Sequence, residues 1–130
     1  MFAIKEDMSI HITRGDAAVF EFYAFFEGGK QDGEGYRFVE GDVVRFKVFA
    51  KKNCNDVVLV KDVYINENTL RVEIALEGSE TEIGDYISKP VEYWYEVELN
   101  PDGNPQTIIG YDENGAKIFK VYPEGGGINE

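Results

Sequence analysis

Leu70-Arg71-Val72-Glu73-Ile74-Ala75-Leu76 sets Leu70, Val72, Ile74 and Leu76 on one parity and Arg71, Glu73 and Ala75 on the other. Successive side chains of an extended chain point to opposite faces, so a period of two predicts a strand with one buried and one wet face. The pattern recurs on both sides of this stretch. Downstream, Val91, Tyr93, Tyr95, Val97 and Leu99 alternate with Glu92, Trp94, Glu96 and Glu98. Upstream, Val44, Phe46 and Val48 alternate with Arg45 and Lys47, and Met8, Ile10 and Ile12 with Ser9, His11 and Thr13.

Turn-forming clusters separate these runs: Arg14-Gly15-Asp16, Lys51-Lys52-Asn53, Asn66-Glu67-Asn68 and Asn100-Pro101-Asp102-Gly103-Asn104-Pro105. Val57 to Ile65 reads as a strand of undecided facing, because Val58, Val60 and Tyr64 compete with Leu59, Val63 and Ile65. Gln106 to Tyr111 and Ala116 to Tyr122 flank Asp112-Glu113-Asn114-Gly115, whose Asn-Gly pair predicts a tight hairpin. Ala17 to Phe26 is apolar on both parities, with Phe20, Phe22 and Phe26 against Val19, Tyr23 and Phe25. Such a strand needs cover on both faces or carries a bulge. Glu27 to Gly41 is glycine-rich and predicts a loop or open hairpin tip around Tyr36-Arg37-Phe38. Helix is hinted only over residues 78 to 87, where Ser79 or Thr81 could cap a single turn before Gly84 and Pro90 stop it.

Seven or eight short strands at even spacing, with no crossover helix, predict an all-β fold: a mainly antiparallel β-sandwich of immunoglobulin-like order. The expected organisation is one domain over residues 1–122 and a flexible Gly-rich tail over 123–130. In that order the Val44–Val48 run lies beside the Val91–Leu99 run. Arg45 and Lys47 then face Glu96 and Glu98, each pair contributing ~0.2–1 kcal/mol.

With 130 residues and 43% hydrophobic content, the chain can close one sizeable core. The formal net charge is -12. Residues 1–65 carry 9 Lys+Arg against 11 Asp+Glu and residues 66–130 carry 4 against 14, so the halves stand at -2 and -10. Nucleic acid and anionic membrane are therefore not expected partners, since both need a basic patch. Cys54 is alone and can form neither an internal disulfide nor a thiolate metal cage. Met1 to Asp7 lacks the apolar core of a signal peptide, and the expectation is a chain made in the cytoplasm and not exported by the usual signal.

No catalytic constellation emerges, and the expectation is a non-enzymatic chain without cofactor or metal. A nucleophile–base pair commonly uses a His, and the one His, His11, falls on the solvent face of a strand. Glu92, Glu96 and Glu98 also point outward, whereas a general acid needs a desolvated pocket. Asp102, Asn104, Asp112 and Asn114 lack the spacing of a calcium loop and suit turns instead. Arg14-Gly15-Asp16 matches an integrin-recognition tripeptide, but strand reversal explains its Gly and Asp. For interaction, the candidate residues are Trp94, whose parity sets it between two glutamates, and the aromatics Tyr23, Phe25, Tyr36, Phe38 and Tyr64. An outward Trp can anchor a protein interface or stack on sugar rings.

Ile12-Thr13-Arg14-Gly15-Asp16 running into Val19-Phe20-Glu21-Phe22, then Gly41-Asp42-Val43-Val44-Arg45-Phe46-Lys47-Val48, form an ordered series. Glu80-Thr81, Tyr93-Trp94-Tyr95-Glu96-Val97-Glu98-Leu99 and Pro101-Asp102-Gly103-Asn104 before Thr107-Ile108 continue it. Over roughly Ser9 to Val121 the series resembles the N-terminal domain of phage baseplate upper proteins of siphophages and prophages of Gram-positive bacteria. The resemblance implies a virion structural module, a sandwich fixing a host-adhesion device to the tail baseplate, often within a trimer, assembled in the host cytoplasm. Its partners would be other protein subunits of the tail. Family members commonly continue into helical and receptor-binding-protein-docking segments. This sequence stops at Glu130, so the expectation is a stand-alone virion or prophage protein or an adaptor for a second chain. Two other readings stand beside it: a carbohydrate- or ligand-binding sandwich using exposed aromatics, and an acidic inhibitor or immunity protein motivated by the -10 half.

Overall fold

The computed structural model describes residues 2–23, 36–52, 55–84, 88–111 and 115–124. Residues 1, 24–35, 53–54, 85–87, 112–114 and 125–130 lie outside them, among them Phe25, Phe26 and Cys54 and most of the stretches for which a glycine-rich loop and a flexible tail are expected.

Alternation becomes strand wherever it was regular. The strands are β1 (Phe2–Ile4), β2 (Ile10–Thr13), β3 (Ala18–Phe22), β4 (Val43–Lys51), β5 (Asn55–Tyr64), β6 (Val72–Leu76), β7 (Val91–Leu99), β8 (Gln106–Ile109) and β9 (Lys117–Tyr122). One sheet is the antiparallel pair β3–β6, in which Ala18 faces Leu76, Phe20 faces Ile74 and Phe22 faces Val72. All six are buried. Facing it is a larger sheet of order β1-β2-β9-β7-β4-β5, with β8 also on β7. Its inner face supplies Ile10, Ile12, Val44, Phe46, Val48, Tyr95, Val97, Leu99, Phe119 and Val121 to one cluster with the small sheet. Phe46 sits at its centre, 5.6 Å from the rings of Phe20 and Tyr95 and 6.0 Å from Phe119. Each such fully buried large side chain contributes ~1.5–3 kcal/mol over its exposed state.

A β9-β7-β4-β5 sheet over a β3–β6 pair is the immunoglobulin-like order of a sandwich whose larger sheet carries an extra edge strand. Every strand pairing among the described residues is antiparallel except β2 with β9, which is parallel. Ile10 there faces Phe119 and Thr13 faces Tyr122, so the start of the chain borrows the edge of its last strand. β1, which adds a ninth strand to the seven or eight expected, folds back on β2.

Three expectations are corrected. The strands expected to close a hairpin over Asp112–Gly115, a turn whose residues 112–114 lie outside the described residues, do not pair with each other: β8 and β9 both pair antiparallel with β7, β8 along Val97–Leu99 and β9 along Val91–Tyr95. Because β4 already occupies the other edge of β7 over Trp94 to Leu99, β8 and β9 share one edge and run in the same direction. Of the Ala17–Phe26 run, whose residues 24–26 lie outside the described ones, Ala18–Phe22 form β3, and one face of it is outward: Val19 is 58% exposed and Tyr23, just beyond the strand, 50%. Finally, β6 begins at Val72, leaving Leu70 outside the strand and 43% exposed.

Residues 78–81 form a single 3-10 turn. Its cap is neither Ser79 nor Thr81; Glu80 Oε1 accepts the Glu77 N–H at 2.8 Å. Thr81 is buried and donates its hydroxyl to Asp16 O at 2.8 Å while accepting the Gly15 N–H at 3.0 Å.

Candidate interaction surface

Outward parity on the large sheet brings four apolar residues into one row. Val57 of β5 faces Phe49 of β4, Phe49 faces Trp94 of β7, and Trp94 faces Ile118 of β9. At ~4.8 Å per strand the row crosses the sheet over ~14 Å. Phe49 shares the outward parity of Arg45 and Lys47, and the register shift beside it falls in β5, where Val58 is passed over and Val57 comes opposite Phe49. It is 3% exposed although it belongs to no part of the inter-sheet cluster, and the Lys47 ammonium lies 5.7 Å from its ring centre. Trp94 is half-buried in the row. Along the adjoining edge strand, Val57, Val58 and Val60 are 51%, 41% and 48% exposed.

Below the row the face is charged, and its two basic side chains are paired with carboxylates. In register, Arg45 faces Glu98 and Lys47 faces Glu96, as expected for neighbouring β4 and β7. The ion pairs are shifted relative to that register. Lys47 Nζ lies 2.7 Å from Glu98 and 3.4 Å from Glu96, whereas Arg45 turns to the edge strand and holds Asp62 through Nε at 2.7 Å and Nη2 at 3.0 Å. Burial works against the Lys47 ammonium, but hydrogen bonding and charge from Glu98 and Glu96 outweigh it and raise its pKa. The Arg45 hydrogen bonds hold the Asp62 carboxyl below its ordinary range.

The other candidate residues do not gather around Trp94. Tyr64 is 65% exposed on the same outer face, but opposite Val43 at the far end of the strand pair. Tyr23 stands beyond β3 at the sandwich edge, and Phe25 lies outside the described residues. Phe38 is fully buried and pairs with Thr69, so it belongs to the core. Tyr36 is half-buried, edge-on to Phe38, and donates its hydroxyl to Asp42 Oδ2 at 2.9 Å. Asp42 is itself buried and also accepts the Val39 N–H at 3.0 Å and the Asn100 side-chain amide at 3.1 Å. Although burial disfavours its charge, these three donors hold the Asp42 pKa low. Sequence reasoning found Trp94 and missed Phe49, Val57 and Ile118; the signal was the cross-strand register, which parity alone does not supply.

Elsewhere the polar clusters serve the fold. Arg14 donates to Gly84 O at 2.8 Å and pairs with Glu124 at 2.7 Å, so the Arg14-Gly15-Asp16 turn is tied down through its arginine. His11 sits between Ser9 and Tyr122, with Nε2 2.9 Å from Ser9 Oγ and Nδ1 2.8 Å from Tyr122 Oη. Spacing alone makes this a nucleophile beside a base. Its polarity runs the other way: the Ser9 hydroxyl donates to Asp7 Oδ1 at 2.6 Å, so Nε2–H donates to Ser9 and Nδ1 accepts from Tyr122. Among the described residues no group of three His, Cys, Asp or Glu side chains could hold a metal ion. Among the described residues no helix is long and apolar enough to cross a membrane. Comparison of the chain with protein-family models, with curated proteins and with solved structures finds no match.

Proposed function

We propose that this protein is a non-enzymatic docking module whose outer large-sheet face binds another protein subunit. The observation that carries the reading is the row Val57–Phe49–Trp94–Ile118 beside the exposed valines of the β5 edge. An aromatic anchor packed among apolar neighbours and rimmed by paired charge has the anatomy of an interface centre. The ion pairs beside it hold Lys47 between Glu96 and Glu98, so a partner that covers the row leaves the lysine paired. Combined with the sequence resemblance to baseplate upper proteins, this favours a structural component of a phage or prophage tail, with a tail protein as the partner.

Co-expression with the products of its neighbouring genes is the test. A stable complex with a tail protein is expected, weakened at least ~10-fold by Trp94→Ala and by Val60→Lys, about 1.4 kcal/mol or more in each case. Saturable glycan binding abolished by Trp94→Ala, with no neighbour captured, would replace docking by carbohydrate recognition.

A further inference from the structure

A second surface lies on the opposite flank of the sandwich, away from the Trp94 row. In the large sheet β9 is flanked by β2, but β8, collinear with β9 on the same edge of β7, has no strand on its other side among the described residues. β2 stops short of it. Ahead of β2 the backbone reverses through Lys5 to Ser9, with Lys5 N–H donating to Ser9 O, Met8 N–H donating to Lys5 O, and Met8 at a φ of 71°. Tyr95 donates its hydroxyl to Met8 O at 2.7 Å and pins the turn level with the start of β9. A strand continuing straight back from Ile10 would have run beside β8; the turn withholds it.

The space left there is a groove of about 430 Å³ lined by Ile4, Met8, Phe22, Tyr23, Ile108 and Ile109, with Glu21 also on its wall. Phe22 and Ile109 form its buried floor, whereas Ile4 is 41% and Tyr23 50% exposed. Among the described residues, backbone donors and acceptors along β8 thus border an apolar trough that no strand covers. That combination fits an extended peptide, which can add main-chain hydrogen bonds to the edge while setting alternate side chains into the trough. A small apolar molecule would fill the trough and leave the β8 backbone groups unused. A second copy of this chain would bring another net charge of -12 against the first, and like charge opposes that approach. The same excess attracts a segment carrying lysine or arginine.

We infer that the β8 edge and the Ile4–Met8–Phe22–Ile108 groove accept an extended strand from a different protein, with apolar side chains facing inward and basic ones facing solvent. The β8 strand, Gln106–Ile109, sets the length of the paired segment at about its own four residues. This surface is separate from the Trp94 row, so either can fail without the other.

The probes are short synthetic peptides in which Val or Ile alternates with Lys or Thr, set against peptides of the same charge with Pro at alternate positions, which lack the N–H groups needed for pairing. Amide hydrogen exchange of the intact chain with saturating peptide reads the site. Expected are a slowing of at least ~10-fold at Thr107 to Ile109, no effect of the Pro peptides, and loss of the protection in Ile108→Glu. Ile4→Glu, at a half-exposed position, repeats the loss if Ile108→Glu fails to fold, and Trp94→Ala leaves the protection unchanged. The inference is overturned by equal binding of the Pro peptides, by unprotected β8 amides, by decanoate filling the groove while no peptide does, or by a concentration-dependent dimer that protects β8 in place of peptide.

Discussion

His11 is the residue whose surroundings make a pH-dependent statement about stability. Burial disfavours its charged form first, and Lys5 and Lys120 add repulsion, against partial relief from Asp7 and Glu92. The ordered chain of donors from Tyr122 through His11 and Ser9 to Asp7 also uses the neutral ring. The pKa in the fold therefore lies below the ordinary histidine value of 6.5. Between the two values the unfolded chain binds more protons than the native one, so stability rises with pH across that window. His11 contributes in full above about pH 6.5, and the contribution is lost as pH falls from there toward the folded pKa. Urea midpoints measured from pH 8 down to pH 5 should fall below ~pH 6.5 in the natural chain, with a flatter profile in His11→Gln. A profile that rises on acidification would reverse the assignment. None of this cluster was legible beforehand: parity sent His11 outward correctly, but its link to Tyr122 needs the parallel β2–β9 pairing. By contrast, Arg45 and Lys47 facing Glu96 and Glu98 followed from parity and an assumed strand order, and only the Arg45 exchange to Asp62 came from the neighbouring edge.

At the scale of elements, the strands with clean alternation were legible because one face had to be buried, and a slip of one residue would have inverted all of it. Pairing partners were less accessible. Asn114-Gly115 carries hairpin chemistry, yet the strands around it continue along β7, because the long β7 can pair end to end with both. The 3-10 turn shows a second kind of hidden constraint. Gly78 approaches the turn after β2 so closely that a Cβ there would lie 2.5 Å from Gly15 O, a backbone atom. Gly15 has a φ of 89° and its N–H is held by Thr81, so the carbonyl has little freedom to move away. Gly78→Ala is expected to destabilise the fold by ~1–3 kcal/mol through this clash, despite the usual entropic gain from replacing Gly. Chemical denaturation should show a lower midpoint at unchanged slope. An unchanged or higher midpoint would mean that the two turns are not in contact in solution.

For the whole molecule, the question is which electrostatic effect dominates, local pairing or global repulsion. Lys47–Glu98 and Arg45–Asp62 join side chains only 19–24% exposed, so added salt screens them weakly. Lys51–Asp56, at 65% and 59% exposed, contributes little at any ionic strength. Against these stands a net charge of -12, from 25 acidic and 13 basic residues. Such an excess opposes the compact state over distances comparable with the Debye length, about 10 Å at 0.1 M salt, and is relieved when salt shortens it. Repulsion spread over the surface therefore outweighs the few protected pairs. Thermal unfolding in sodium chloride should give a Tm that rises steadily from ~10 mM to ~200 mM salt, well below the range where excluded salts strengthen burial in general. Potassium chloride should give the same curve, because screening depends on ionic strength and not on the cation. A falling Tm would show that the paired charges of the outer face outweigh the excess. A rise with one cation alone would point to specific binding and away from screening.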